Sequence, residues 1–174
     1  MKKNHWTALA AAFCLLFIVA GCDIQIGDWS QAKFERTVER KAPLPAGSTL
    51  VAKTSLGSVT ITGTDVTDCN VLAEITGRAP TEEEAQELAE QVEITLETAG
   101  NTMTVKADKP STRHNRSISI SYTITVPNQT HVECTSSYGA ITLSDLSGNV
   151  SAKTSSGAIT VENIEGSADL DTSY

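Results

Sequence analysis

The sequence predicts a mainly β protein: a β-solenoid, that is, a right-handed β-helix-like stack with an 18-residue repeat and one α-helix inserted near 82–92. Three observations carry this expectation. First, the C-terminal part repeats: VECTSSYGAITLSDLSGN from residue 132, VSAKTSSGAITVENIEGS from 150, and ADLDTSY from 168. Second, each unit alternates apolar and polar residues twice, as strands with one buried face do. Third, one such unit cannot bury its face alone, whereas stacked copies can. An antiparallel β meander, with hairpins at Tyr138-Gly139 and Ser156-Gly157, or a sandwich, is the alternative.

Composition allows a packed core: of 174 residues 40% are apolar and 20% charged. With 13 basic and 21 acidic residues the net charge is −8, which repels a phosphate backbone, so no nucleic-acid partner is expected.

The chain begins with an address. Lys2 and Lys3 precede Trp6–Gly21, a run without charge that is shorter than the roughly 20 residues of a spanning helix and suits the apolar region of a secretory signal. The run ends Val19-Ala20-Gly21-Cys22, followed by Asp23. This motif resembles a bacterial lipobox. The resemblance implies that residues 1–21 are a lipoprotein signal peptide and that Cys22 is the lipid attachment site, with a diacylglycerol on sulfur and an acyl group such as palmitate on the amine. Two or more chains hold a protein on a membrane where one holds it only marginally. Asp23 resembles the inner-membrane retention signal of enteric bacteria. Residues 22–33 then read as a tether and 34–174 as the folded domain.

The domain opens with a strand near Phe34–Val38. A weak copy of the repeat follows at Leu50, Ala52, Thr54, Gly57, Val59 and Ile61. Pro80-Thr81-Glu82-Glu83-Glu84 is a helix start, with Thr81 as N-cap and Glu84 at the capping-box position. Ala85, Leu88, Ala89 and Val92 then form one apolar face. Ile94 and Leu96, a turn at Gly100-Asn101, and Met103 and Val105 predict a hairpin. A polar loop over 108–116 follows, and Ile118, Ile120, Tyr122, Ile124 and Val126 make a long strand ending at Pro127. Lys106, Lys109, Arg113 and Arg116 form a basic cluster, read first as solvated surface and second as a face for an anionic glycan or lipid headgroup.

In the strong repeats Val132, Val150 and Ala168 share a column, as do Cys134, Ala152 and Leu170. Ser136, Thr154 and Thr172 form a polar column, expected to satisfy backbone groups near a turn rather than to bind a ligand. Gly57, Gly139, Gly148, Gly157 and Gly166 are the structural turn residues, placed where the chain needs positive φ or close backbone approach. Cys134 reads as a buried small apolar residue; a disulfide with Cys69 is the other reading, since an exported compartment permits one. Neither a CxxC nor a His/Cys cluster occurs, so no metal site and no cofactor is expected.

Gly47-Ser-Thr-Leu, Thr54-Ser-Leu-Gly-Ser-Val-Thr-Ile, the EEEA helix, TITVP at 123–127 and the recurrent T-S-x-G-x-[IV]-T come in a consistent order. Together they resemble the bacterial β-strand-repeat domain named "putative adhesin", a domain of unknown function, over roughly residues 34–174. The resemblance implies a β-helix-like stack on an envelope protein and carries over no catalytic residue. Tyr174 occupies the column of Tyr138, where the pattern calls next for Gly, so the repeat is expected to continue in a longer gene; a stop codon directly after codon 174 would defeat that expectation.

Three functions follow. The favoured one is a non-catalytic, lipid-anchored protein of the cell envelope, extracytoplasmic, presenting a rigid β-repeat domain for adhesion, sensing or scaffolding to an envelope glycan or another envelope protein. The second is a polysaccharide-acting β-helix enzyme, for which the repeats offer Asp145, Glu162, Glu165, Asp169 and Asp171, with Asp169 and Asp171 expected to point to solvent. No GxSxG occurs to support a serine nucleophile. The third is a module binding a lipid or other apolar ligand, which needs an enclosed cavity, whereas columns of Ala, Cys and Val predict a thin, filled core.

Overall fold

The computed structural model describes residues 31–112 and 115–173. The signal peptide, Cys22, most of the tether, Arg113 and Tyr174 are outside the described residues. The chain is mainly β, with twelve strands and one helix among the described residues. The strands are β1 (Ala32–Pro43), β2 (Thr49–Leu56), β3 (Val59–Thr64), β4 (Asp68–Ala79), β5 (Glu93–Ala99), β6 (Thr102–Asp108), β7 (Ser117–Pro127), β8 (His131–Tyr138), β9 (Ile141–Leu146), β10 (Val150–Ser156), β11 (Ile159–Ile164) and β12 (Ala168–Thr172); helix α1 (Glu82–Glu90) falls between β4 and β5.

They form two six-stranded sheets. The first runs β1-β4-β7-β3-β9-β11 and the second β12-β10-β8-β2-β6-β5. Inward side chains of both sheets build one core, including Leu50, Ile61, Ile75, Tyr122, Ile124, Met103 and Leu143. At the level of the whole molecule this is the two-sheet, sandwich-like alternative. A uniform stack of parallel rungs does not describe it, because β1, β4 and β7 pair antiparallel and β5 and β6 form an antiparallel hairpin.

The repeat columns nevertheless set the register of the remaining strands. Val150 faces Val132 on one side and Ala168 on the other, in parallel strands offset by 18 residues. The weak copy joins the same ladder, with Leu50 opposite Val132, Ala52 opposite Cys134 and Thr54 opposite Ser136. In the first sheet Val59 faces both Tyr122 and Ile141, and Ile61 faces both Ile124 and Leu143. The chain does not reverse at Tyr138-Gly139 or Ser156-Gly157. β8 and β10 belong to the second sheet and β9 and β11 to the first, so each glycine corner carries the chain across the sandwich and the meander hairpins are not formed.

Local chemistry explains the antiparallel side. β4 is buried on one face through Cys69, Val71, Ala73 and Ile75, and β7 through Ile118, Ile120, Tyr122 and Ile124. β1 is one of the two edge strands of the first sheet and starts at Ala32; its charged residues discourage pairing with another chain, while Phe34, Val38 and Ala42 pack on the core. Helix α1 covers β4 and β1. Thr81 caps it by accepting from the Glu84 amide at 3.3 Å, and Ala85, Leu88 and Ala89 are buried. The helix stops at Glu90, short of the expected 92, and Val92 is buried just beyond it.

Candidate functional site

The corners from β2 to β3, from β8 to β9 and from β10 to β11 are each built around glycine. Gly57, Gly139 and Gly157 have φ of +126°, +156° and +157°. A Cβ on Gly139 would be 2.0 Å from the Gly57 carbonyl oxygen, and one on Gly157 would be 2.2 Å from that of Gly139. Gly148 and Gly166 stack by the same closeness at the opposite corner, without positive φ: their Cβ atoms would meet Thr130 O at 2.2 Å and Gly148 O at 2.4 Å. The hydroxyl column uses the carbonyls so exposed. Thr54 Oγ1 donates to Ile120 O at 3.0 Å, Ser136 Oγ to Gly57 O at 3.4 Å and Thr154 Oγ1 to Gly139 O at 3.3 Å. Ser136 and Thr154 are buried, so this column is internal wiring between rungs rather than a surface ladder.

Sequence reasoning missed a matching irregularity near the ends of β9 and β11, where the ladder skips one residue on each strand. Asp145 and Asn163 both take left-handed φ, 59° and 53°, and Asn163 Nδ2 donates to Asp145 Oδ1 at 2.9 Å. Asp/Asn at matching places of two repeats was the available signal, since these residues tolerate this conformation. Asp145 is thereby a left-handed residue within β9 whose carboxylate already accepts from Asn163. Asp171 pairs with Lys153, and β12 is exposed throughout.

Cys69 and Cys134 are free and buried, in β4 of the first sheet and β8 of the second. The disulfide kept open from sequence is not formed. Burial pushes both thiols up to about 12. Among the described residues no group of three or more His, Cys, Asp or Glu is placed to hold a metal ion.

The described members of the basic cluster do not converge as a group. Arg116 pairs with Glu84 at 2.7 Å and Lys106 with Glu97 at 3.0 Å. The hydrogen bond and charge of Glu97 hold the Lys106 ammonium above its usual range. Lys109 reaches back to Ser55 Oγ at 3.4 Å. That contact spans a gap. β2 and β6 pair only from Thr49 with Thr102 to Ala52 with Val105, although both strands continue. Beyond that point they diverge and leave a slot of about 510 Å³, whose lining includes Lys53, Lys106, Lys109, Val105, Ile120 and Tyr122. Tyr122 is 1% exposed and its hydroxyl has no hydrogen-bond partner.

No family model matches the chain, and no curated protein matches it. Solved structures with a similar outline include a "putative cell adhesion protein" from Clostridium sporogenes, at 10% identity and TM-score 0.38, covering 79% of this chain and 100% of that one. A "putative adhesin" from Bacteroides fragilis has 12% identity and TM-score 0.28 over 79% of this chain and 97% of that one. A "putative lipid binding protein" from Parabacteroides distasonis has 11% identity and TM-score 0.33 over 75% of this chain and 59% of that one. Likenesses this distant transfer no function.

Proposed function

We propose that this is a non-catalytic, lipid-anchored protein of the bacterial cell envelope that holds a rigid β domain outside the cytoplasm for adhesion, sensing or scaffolding. The observation that carries the reading is the continuous ladder Met103–Leu50–Val132–Val150–Ala168, one residue per strand across five strands of the second sheet. Such a column locks neighbouring strands in register and makes a stiff platform, because a slip by one residue would turn every buried side chain outward. The 18-residue coil of β8 to β12 is the solenoid-like part of that platform. The Cys22 motif supplies the tether, and an envelope glycan or another envelope protein is the partner. Against the polysaccharide enzyme stand the engaged carboxylates of Asp145 and Asp171.

The test is the intact mass of the protein extracted from membranes of a bacterium with lipoprotein-processing enzymes. The expected species starts at Cys22 and carries a diacylglycerol and an acyl chain, and Cys22→Ala abolishes both the increment and incorporation of an alkyne-tagged palmitate. A species without the acyl increment overturns the anchoring.

A further inference from the structure

We propose that the slot between β2 and β6 binds a small organic anion: a carboxylate or phosphate held by Lys53 and Lys109, carried on an apolar body that sits over Val105, Ala107 and Ile120, with the Tyr122 hydroxyl as the buried donor. This site is independent of the lipid anchor, so either proposal can fail alone.

The first support is the sign of the lining. The chain as a whole carries −8, with acids outnumbering bases 21 to 13. The slot reverses that balance: its lining holds Lys53, Lys106 and Lys109 and no carboxylate. Lys106 already faces Glu97, whereas Lys53 and Lys109 enter no ion pair among the described residues. Two uncompensated ammonium groups beside one opening form a local well for an anion.

The second support is Tyr122. A buried hydroxyl without a partner costs about 1–3 kcal/mol, and folded proteins rarely leave one so. Tyr122 sits in the middle of β7, opposite Val59 on one side and Ala73 on the other, with its ring in the core. Burial raises its phenol to about 12, so the group keeps its proton at neutral pH and is available as a donor to an acceptor. Of the other lining hydroxyls, Thr54 is committed to Ile120 O and Leu56 O and Ser55 accepts from Lys109, while Tyr122 carries the lining hydroxyl that is buried without a partner and that an incoming oxyanion would satisfy.

The third support is shape. The opening exists because the ladder between β2 and β6 stops early, and Lys109 spans it to Ser55 at 3.4 Å. Its volume of about 510 Å³ falls in the range typical of small-molecule sites, roughly 300–1,000 Å³. Apolar walls with a few convergent polar groups are the usual lining of such sites.

Benzoate and phenyl phosphate are the probes, with benzyl alcohol and inorganic phosphate as controls, each titrated against the full-length protein in lipid nanodiscs by ligand-observed saturation-transfer NMR. At least one aromatic anion is expected to bind with a Kd below about 1 mM. The double variant Lys53→Gln/Lys109→Gln, on exposed side chains, is expected to weaken it by about tenfold or more at unchanged melting temperature. Tyr122→Phe is expected to weaken it severalfold without lowering the melting temperature, which a purely packing role for the ring would not do. Benzoate binding alone selects a planar carboxylate and phenyl phosphate alone a phosphate ester; either supports the site. Binding of benzyl alcohol as tight as that of the anions, binding of inorganic phosphate as tight as that of phenyl phosphate, binding insensitive to the lysine pair or to Tyr122→Phe, or no binding of either anion at about 10 mM overturns it.

Discussion

A side chain at Gly139 or Gly157 has no room and the wrong backbone. The carbonyl oxygen of the preceding corner is 2.0 to 2.2 Å from where Cβ would be, and φ is already in the region that L-residues avoid. Neither neighbour can yield, because that carbonyl also accepts the Ser136 or Thr154 hydroxyl. Gly139→Ala and Gly157→Ala are each expected to lower the unfolding free energy by roughly 2–4 kcal/mol, measured by guanidinium denaturation. Gly100 is the internal control. It has φ +60° but nothing within 4 Å of its Cβ position, so Gly100→Ala is expected to cost only about 1 kcal/mol. Equal losses at all three positions would show that conformation alone matters and that the stacked carbonyls do not.

Helix α1 shows how elements are joined across the sandwich. Its first turn carries Glu82, Glu83 and Glu84, but its last turn has no basic residue of its own. The missing charge arrives from β1. Arg36 donates to Val92 O at 2.6 Å and Glu90 O at 3.4 Å, where the negative end of the helix dipole sits, and Arg40 donates to Ile94 O at 2.8 Å in β5. This edge strand of the first sheet is thereby stitched to the edge hairpin of the second. Thr81→Ala is expected to destabilise by about 1 kcal/mol through the lost cap. Arg36→Ala is expected to cost about 1.5–3 kcal/mol and to speed amide exchange in both α1 and the start of β5. Acceleration confined to α1 would mean that the arginine caps the helix without joining the sheets. The Thr81 cap, the apolar face of α1 and the Gly100 turn of the β5–β6 hairpin were all legible in the sequence, because each is written in residues close together. Arg36 was not, since its partners are more than fifty residues away. β4 went unread for a related reason: Cys69, Val71, Ala73 and Ile75 alternate as plainly as any strand, but they belong to no repeat, and only their antiparallel pairing with β1 and β7 gives them a place.

At the scale of the whole molecule, the repeat period fixed which residues stack, but not how many layers the chain would make. Columns read from matching positions reappear in the ladders of both sheets, whereas the antiparallel trio β1-β4-β7 depends on long-range pairing that no local pattern encodes. The slot was invisible for the same reason, because it exists only where β2 and β6 stop pairing. The filled core that these sheets share has a consequence for alkaline stability. Cys69, Cys134 and Tyr122 are buried, and burial raises the thiols from 9.0, and the phenol from 10.0, to about 12 in the folded state. Below the unfolded values both states hold these protons, so the groups leave stability level. As pH climbs past 9.0 the unfolded chain releases thiol protons that the folded chain retains, and ionisation favours unfolding. Each group contributes a fall of up to about 1.4 kcal/mol per pH unit, first the thiols and then the phenol. Urea midpoints are therefore expected to stay flat, as far as these groups are concerned, up to about pH 8.5 and then to drop steadily through pH 10.5. Cys69→Ala/Cys134→Ala is expected to start lower at neutral pH, because two buried sulfurs are lost, yet to decline less steeply above pH 9. An alkaline slope unchanged in that double variant would place the titrating groups elsewhere and would mean that the two thiols are open to solvent in the native protein.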